Sequence, residues 1–194
     1  GLGIPAEPLF RSSITPVVTA PTAKNLTYNT NAQTLVNAGS TTGGTLYYIV
    51  TNTNSKPDAN ASGWSTTLPK GTNAGTYYVW YKVVGGDNYN NVDVSNTSVA
   101  VNIAKAAGSI SYSTTSVTKN AGDAAFTNPL TKVGDGTVTY SISNSGSNCS
   151  INSCTGQVTV GNSAGTATIT ATVTDGTNYS YATKTATYTL TVQA

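Results

Sequence analysis

The sequence has no histidine and no methionine, and it contains a single arginine, Arg11, and a single glutamate, Glu7. Without histidine the chain lacks the commonest general base and the commonest metal ligand, which excludes catalytic triads and zinc or haem sites built on imidazole. The nine Lys and Arg residues are scattered. They form no basic stripe for phosphates, so we expect no nucleic-acid partner.

Carboxylates are equally sparse. Besides Glu7, the six aspartates lie singly in stretches rich in glycine or asparagine, so no pair with glycosidase-like grouping is indicated. The segment 87–93 has oxygen donors at alternate positions, but it lacks the acidic residue that closes a calcium loop, and a hairpin turn explains it better. We therefore predict a protein that is not an enzyme and has no cofactor and no metal site.

No apolar run approaches the roughly 20 residues that a membrane-spanning helix needs. The chain is instead dominated by small polar residues, with 56 Ser and Thr, 20 Asn and 19 Gly among 194 residues. In such an exported-looking chain the two cysteines, Cys149 and Cys154, predict a disulfide. A redox-active pair is disfavoured because the spacing is Cys-x4-Cys and no basic neighbour would lower a thiol pKa.

Hydrophobic periodicity indicates an all-β fold. Segments such as 168–173 and 188–192 alternate apolar residues with β-branched polar ones, which is typical of strands with one buried face. No stretch of ten residues has helical spacing. Turn clusters separate the strands at short intervals, as in β-sandwiches. The predicted strands are 16–20, 33–36, 45–51, 64–68, 76–84, 98–103, 108–118, 124–126, 138–143, 157–160, 165–174 and 182–192.

An internal repeat divides the chain. Ala74-Gly75-Thr76 recurs as Ala164-Gly165-Thr166, and Asn88-Tyr89 recurs as Asn178-Tyr179, ninety residues later in both cases. The offset predicts two domains of about ninety residues, 14–104 and 105–194, joined by a short linker and preceded by a leader, 1–13. Each domain is large enough to bury a sandwich core.

The strand that begins at Gly75 carries two faces. Comparison with the second repeat predicts that Tyr77 faces inward. An Ala-Gly-x-Tyr sequence in this position resembles the tyrosine corner of immunoglobulin-like sandwiches, which implies a structural role for Tyr77. The other face carries Tyr78, Trp80 and Lys82, either as an exposed platform for a sugar ring or, as we favour, as a face packed against a neighbouring domain.

The first domain resembles bacterial Ig-like repeats of large surface proteins, of the MBG-like type. The resemblance covers roughly residues 15–105 and is carried by segments such as 26–36, 44–48 and 73–82. The second domain is similar to bacterial Ig-like group 2 domains at 155–159 and 164–171. These families imply two tandem immunoglobulin-like sandwiches outside the cell, at the cell surface, with a mechanical role and no catalytic residues.

The leader belongs to neither repeat. Leu2 and Ile4 alternate like one face of a strand, whereas Pro5 and Pro8 suit an edge or an open groove. With Leu9 and Phe10 they form the candidate assembly residues. The main hypothesis is that the leader adds as a strand to another copy and builds a pilus-like adhesive filament. The alternatives are a stalk of a larger adhesin, with neighbouring Ig-like domains or a surface receptor as partners, and a carbohydrate-binding accessory module that recognises a glycan.

Overall fold

The computed structural model describes residues 1, 3 and 12–194, and the candidate assembly residues Leu2, Ile4, Leu9 and Phe10 lie outside the described residues. The chain divides into two compact units, the first ending at Ala104 and the second beginning at Lys105. Described residues form strands, turns and bends, with no helix among them. The all-β prediction is confirmed.

The described residues of the first unit form ten strands. Three are longer than two residues, and in the last of them, Val99–Ala104, exposed residues alternate with buried or half-buried ones. The strands are β1 Val18–Thr19, β2 Thr22–Ala23, β3 Leu26–Thr27, β4 Gln33–Thr34, β5 Val36–Asn37, β6 Ser40–Thr41, β7 Thr45–Thr51, β8 Lys70–Gly71, β9 Gly75–Val84 and β10 Val99–Ala104.

The second unit also contains ten strands. The longest are rich in threonine, a β-branched residue that suits a pleated surface. The strands are β11 Ala106–Ala107, β12 Ser109–Ser111, β13 Ser116–Asn120, β14 Thr131–Val133, β15 Thr137–Ser145, β16 Ser150–Ile151, β17 Val158–Thr159, β18 Gly165–Thr174, β19 Tyr179–Ser180 and β20 Thr185–Gln193.

Both units share one sheet topology. The main sheet has the order β3-β10-β9-β7 in the first unit and β13-β20-β18-β15 in the second. In each, an early strand runs parallel to the last strand, and the other neighbours are antiparallel. Two-stranded pairs complete each unit, with β1-β6, β2-β5 and β4-β8 in the first and β12-β14 and β16-β17 among those of the second. Each unit is thus an immunoglobulin-like β-sandwich.

The cores lie on the faces that the repeat predicts. In β18, Ala167, Ile169, Ala171 and Val173 are all buried in one hydrophobic cluster. In β9, Val79 is buried in the first unit's cluster, where Leu35, Val36, Tyr48, Val101 and Ile103 surround it. Alternate residues therefore face inward on equivalent strands of both units.

Two predicted strands are absent. Segments 64–68 and 124–126 form no strand, and each contributes one bridge residue, Ser65 opposite Tyr48 and Phe126 opposite Val158. Ser65, Thr66 and Thr67 are small polar residues that favour turns, whereas 124–126 is Ala-Ala-Phe, and each segment pairs at a single residue.

Candidate functional site

The parallel pair formed by an early strand and the last strand is well developed in the second unit. There β13 pairs with β20 over five residues, from Ser116 opposite Thr189 to Asn120 opposite Gln193. Flanking hydrogen bonds extend the pair, with the Thr189 N–H donating to the Thr115 carbonyl at 3.0 Å and Ala121 donating to Gln193 at 2.7 Å. The early strand β13 is therefore hydrogen-bonded along its length to the last strand of the unit, β20.

The equivalent pair in the first unit is much shorter. Here β3 pairs with β10 only at Ile103 and Ala104, extended by the Tyr28 N–H bond to the Ala104 carbonyl at 2.8 Å. Pairing with β10 begins only at Leu26, because residues 22–24 form hydrogen bonds with residues 35–37 instead. Strand β2 pairs with β5, and the Lys24 N–H donates to the Leu35 carbonyl.

Each unit also fastens the chain where it enters, through what we call the N-terminal clamp. In the first unit Ile14 donates to the Asn88 carbonyl at 3.2 Å and accepts from the Asn90 N–H at 2.9 Å. In the second unit Ala106 donates to Asn178 at 2.9 Å and Gly108 donates to Ser180 at 2.8 Å. The repeated Asn-Tyr segments thus hold the chain, and Lys105 alone separates β10 from β11.

Two aspartates, Asp135 and Asp175, accept hydrogen bonds from residues 178–181, the segment that forms the N-terminal clamp of the second unit. The Asp135 carboxylate accepts hydrogen bonds from the backbone N–H groups of Asn178 and Tyr179. Asp175 accepts from the Tyr181 N–H and pairs with the Lys184 ammonium at 2.5 Å. The hydrogen bond from Lys184 and the one from Tyr181 lower the pKa of Asp175 below its ordinary value of 3.8.

The predicted platform of Tyr78, Trp80 and Lys82 is not an exposed face. Trp80 is 2% exposed, and its indole N–H donates to Thr51 Oγ1 at 2.9 Å. The loop after β7 and the segment before β10 meet over it, since Ser98 Oγ bonds Asn54 Oδ1 at 2.6 Å. Tyr78 and Lys82 are half-buried. The sugar-platform interpretation is therefore wrong for Trp80, because loops of its own unit cover the ring.

Lys82 instead anchors a loop. Its ammonium nitrogen lies 4.8 Å from the Trp64 ring centre and 5.9 Å from the Tyr47 ring centre, and it donates to the Ala59 carbonyl at 2.5 Å. The Trp64 indole N–H bonds the Asp58 carbonyl. The long loop between β7 and β8 is thus attached to the sheet through cation–π contacts and hydrogen bonds.

The hydroxyl groups of Tyr77 and Tyr181 form hydrogen bonds with the backbone of nearby turns. The Tyr77 hydroxyl donates to the Asn73 carbonyl at 2.7 Å, four residues upstream. The Tyr181 hydroxyl donates to the Val133 carbonyl and accepts from the Gly136 N–H. Packing around Tyr181 is tight, because a Cβ atom at Gly108 would lie 2.4 Å from its ring. Both hydroxyls tie a turn to the sandwich.

Tyr188 differs from these two. It is 2% exposed, and its hydroxyl has no hydrogen-bond partner among the described residues. Burial raises the pKa of Tyr188 to about 12. Tyr112 packs edge-on at a ring-centre distance of 4.9 Å, and its pKa is also raised, first by burial and then by Tyr140 and Tyr188.

The predicted disulfide between Cys149 and Cys154 is absent, and both residues are free thiols. Cys149 is buried in the core of the second unit, where its sulfur accepts from the Gly161 N–H at 3.3 Å. Cys154 is exposed on a turn whose backbone is bonded to the Asn152 side chain. Strand β16 lies between the two cysteines, with Ser150 exposed and Ile151 packed against the core.

The described part of the chain shows neither a candidate metal site nor a candidate membrane-spanning helix. No cluster of three or more Cys, Asp or Glu side chains occurs among residues 12–194. None of the described residues belongs to a helix long and apolar enough to span a membrane.

No family model and no curated protein matches the chain, so the MBG-like and group 2 assignments stay predictions. Similar solved structures include domains EC1–3 of Drosophila N-cadherin, with 14% identity, a TM-score of 0.32 and coverage of 92% of this chain and 67% of that one. A SusE-like surface-located polysaccharide-binding protein from the Bacteroides thetaiotaomicron heparin utilisation locus has 10% identity and a TM-score of 0.30. That match covers 92% of this chain and 34% of the other.

Proposed function

We propose that the protein is a non-catalytic spacer of the cell surface, an extracellular stalk segment that carries tension along its chain. The observation that carries this proposal is the parallel pairing of β13 with β20 over five residues. Because the strands are parallel, force applied through the N-terminal side of β13 and the C-terminal side of β20 slides one strand past the other. All the hydrogen bonds of the pair resist that motion together.

Two further features support the proposal. The N-terminal clamp occurs in both units, so each sandwich holds the chain at its point of arrival as well as at its last strand. The described residues contain no group of carboxylates or thiols arranged for metal-assisted chemistry. The sandwiches are built to hold chain segments in place, which is what a spacer requires.

Chemical labelling of intact source cells tests the extracellular location. A membrane-impermeant amine reagent should label the protein on intact cells to the same extent as in lysates, because its lysines include exposed ones such as Lys70 and Lys132. Labelling only after lysis would contradict an extracellular spacer.

A filament subunit is the second candidate. It is favoured by one observation, the absence of a described strand beside the first half of β10. Negative-stain microscopy of native material tests this candidate, since a subunit should give filaments and a stalk segment should give separate particles. Carbohydrate binding receives less support because Trp80 is buried under its own loops.

A further inference from the structure

A pocket of about 280 Å³ lies in the first unit, where the segment after β7 meets the segment before β10. This volume is close to the lower end of the roughly 300–1,000 Å³ range of small-molecule sites. Its lining consists of Trp80, from β9, and of five polar residues: Asn54, Lys56, Asn96, Thr97 and Ser98.

Two hydrogen bonds join the segments on either side of this pocket. Ser98 Oγ donates to Asn54 Oδ1 at 2.6 Å. The Lys56 ammonium donates to Asn96 Oδ1 at 3.4 Å. The side chains that line the pocket are therefore positioned by one another before a ligand binds, which lowers the entropic cost of binding.

The same two bonds leave hydrogen-bond donors unused. Because the side-chain oxygens of Asn54 and Asn96 already accept, the groups that remain on these side chains are the NH2 groups, and neither has a hydrogen-bond partner among the described residues. The Lys56 ammonium has three N–H groups and uses one of them. Thr97 adds a hydroxyl. The pocket is thus rich in donors.

The charge of the pocket is positive. Lys56 lines it and no carboxylate does. Lys56 is not ion-paired, because the ion pair found within the described part of the chain joins Asp175 to Lys184. The acid closest to Lys56 in sequence, Asp58, accepts from the backbone N–H of Asn60 at 2.8 Å. A free ammonium among N–H and O–H donors favours an anionic ligand with several oxygen acceptors.

From this geometry we infer that the pocket binds an acidic sugar, the carboxylate-bearing ring of a uronic acid unit in a glycan. The carboxylate pairs with the Lys56 ammonium, and ring oxygens accept from the NH2 groups of Asn54 and Asn96. This mode needs no stacking on Trp80, whose ring is 2% exposed. The inference goes beyond the spacer proposal, since a stalk can carry tension without binding a glycan.

The composition of the lining selects a uronic acid over a simple oxyanion. Arginine is preferred where phosphate is recognised, because its planar fork binds two oxygens at once, and the lining contains no arginine. Lys56 supplies a single positive charge, which matches one carboxylate. The carboxamides of Asn54 and Asn96 and the Thr97 hydroxyl are uncharged, and such groups suit the hydroxyls of a sugar ring.

Titration of the full chain with trigalacturonate tests the inference. Maltotriose is the neutral probe of the same length, and acetate and inorganic sulfate are anions without a sugar ring. Calorimetry gives the Kd, and tryptophan fluorescence gives a second readout because Trp80 lines the pocket. We expect saturable binding of trigalacturonate that weakens as salt is added, with binding of the other three probes at least about tenfold weaker.

Substitutions assign the binding to this pocket. Lys56→Met removes the cation and should weaken binding at least about tenfold, whereas Lys56→Arg keeps the charge and should retain binding. Asn96→Asp places a carboxylate beside Lys56 that competes with the carboxylate of the ligand, so it should abolish binding. Lys70→Met is the matched control, because Lys70 is an exposed lysine outside the pocket, and it should bind as the parent chain does.

Thermal unfolding of each variant keeps the comparison interpretable. Lys56 and Asn96 are exposed, so the unfolding temperatures should change little. If Asn96→Asp unfolds early, the comparison of Lys56→Met with Lys70→Met decides the result. No binding of trigalacturonate, or equal binding by Lys56→Met and Lys70→Met, would overturn the inference. Acetate, sulfate or maltotriose binding as tightly as trigalacturonate would overturn the acidic-sugar assignment.

Discussion

The ammonium nitrogen of Lys82 lies 4.8 Å from the centre of the Trp64 ring. Lys82 is on β9 and Trp64 is on the loop between β7 and β8, so this contact joins a long irregular segment to the main sheet of the first unit. Its second bond, to the Ala59 carbonyl, fixes the same loop. The loop is therefore part of the folded unit.

Lys82→Met should destabilise the first unit by about 1–2 kcal/mol, because it removes a cation–π contact and a hydrogen bond from a charged donor. Chemical denaturation followed by tryptophan fluorescence measures the change. Lys70→Met is the control, since Lys70 is exposed on the short strand β8, and it should alter stability by less than about 0.5 kcal/mol. Equal effects of the two substitutions would contradict the anchoring role of Lys82.

Two buried tyrosines of the second unit should respond differently to loss of the hydroxyl. Tyr181→Phe removes a bond to the Val133 carbonyl and leaves the Gly136 N–H without its acceptor, so it should cost about 1–3 kcal/mol. Tyr188→Phe removes a buried hydroxyl that has no partner among the described residues, and should be neutral or stabilising by up to about 1 kcal/mol. Thermal unfolding of both variants decides between equal and unequal effects.

The Asp175–Lys184 pair predicts a loss of stability in acid. The folded state lowers the pKa of Asp175, so the pair's contribution is complete above the ordinary value of 3.8 and is lost as pH falls through the lower, folded value. Asp175→Asn should therefore lower stability at neutral pH and flatten the decline of unfolding free energy below about pH 4. A decline with the same slope in the variant would assign the acid sensitivity to other carboxylates.

The two thiols should differ in reactivity. Cys154 is exposed and Cys149 is 6% exposed in the core, so a thiol reagent should modify one cysteine per native chain and two after denaturation. Peptide mapping should place the native modification at Cys154. No reaction after denaturation without reductant would restore the disulfide that the spacing of the cysteines predicts.

The sequence predicts the strands and their faces well where the pattern is long and regular. Thr45–Thr51 and Gly165–Thr174 have the predicted bounds. In Gly165–Thr174 buried and exposed residues alternate along most of the strand, which leaves one register, whereas Thr45–Thr51 is half-buried along most of its length. Two-residue strands such as Lys70–Gly71 were not predicted, since so short a pair carries no period. Their position depends on tertiary contacts.

The candidate site was harder to predict for the same reason. Trp80 lies on the outer face of β9, as alternation indicates, but only the folded loop around Asn54 shows that this face is covered. The short pairing of β3 with β10 depends on where the preceding chain leaves the opposite sheet, at Lys24. No local pattern in residues 22–27 predicts the residue at which the chain changes from one sheet to the other.

The central claim is that each unit resists tension through its parallel terminal pair, and pulling single molecules of the full chain by their two ends tests it most directly. We predict two unfolding events, each releasing roughly 30 nm of chain. The weaker should come from the first unit, whose pair spans two residues, and the stronger from the second, whose pair spans five.

A variant assigns the two events. Thr191→Pro removes an N–H on the β13 side of β20 and should weaken the stronger event without changing the weaker one. Two events of equal strength, or a stronger event insensitive to Thr191→Pro, would contradict the claim that the parallel pairs carry the tension.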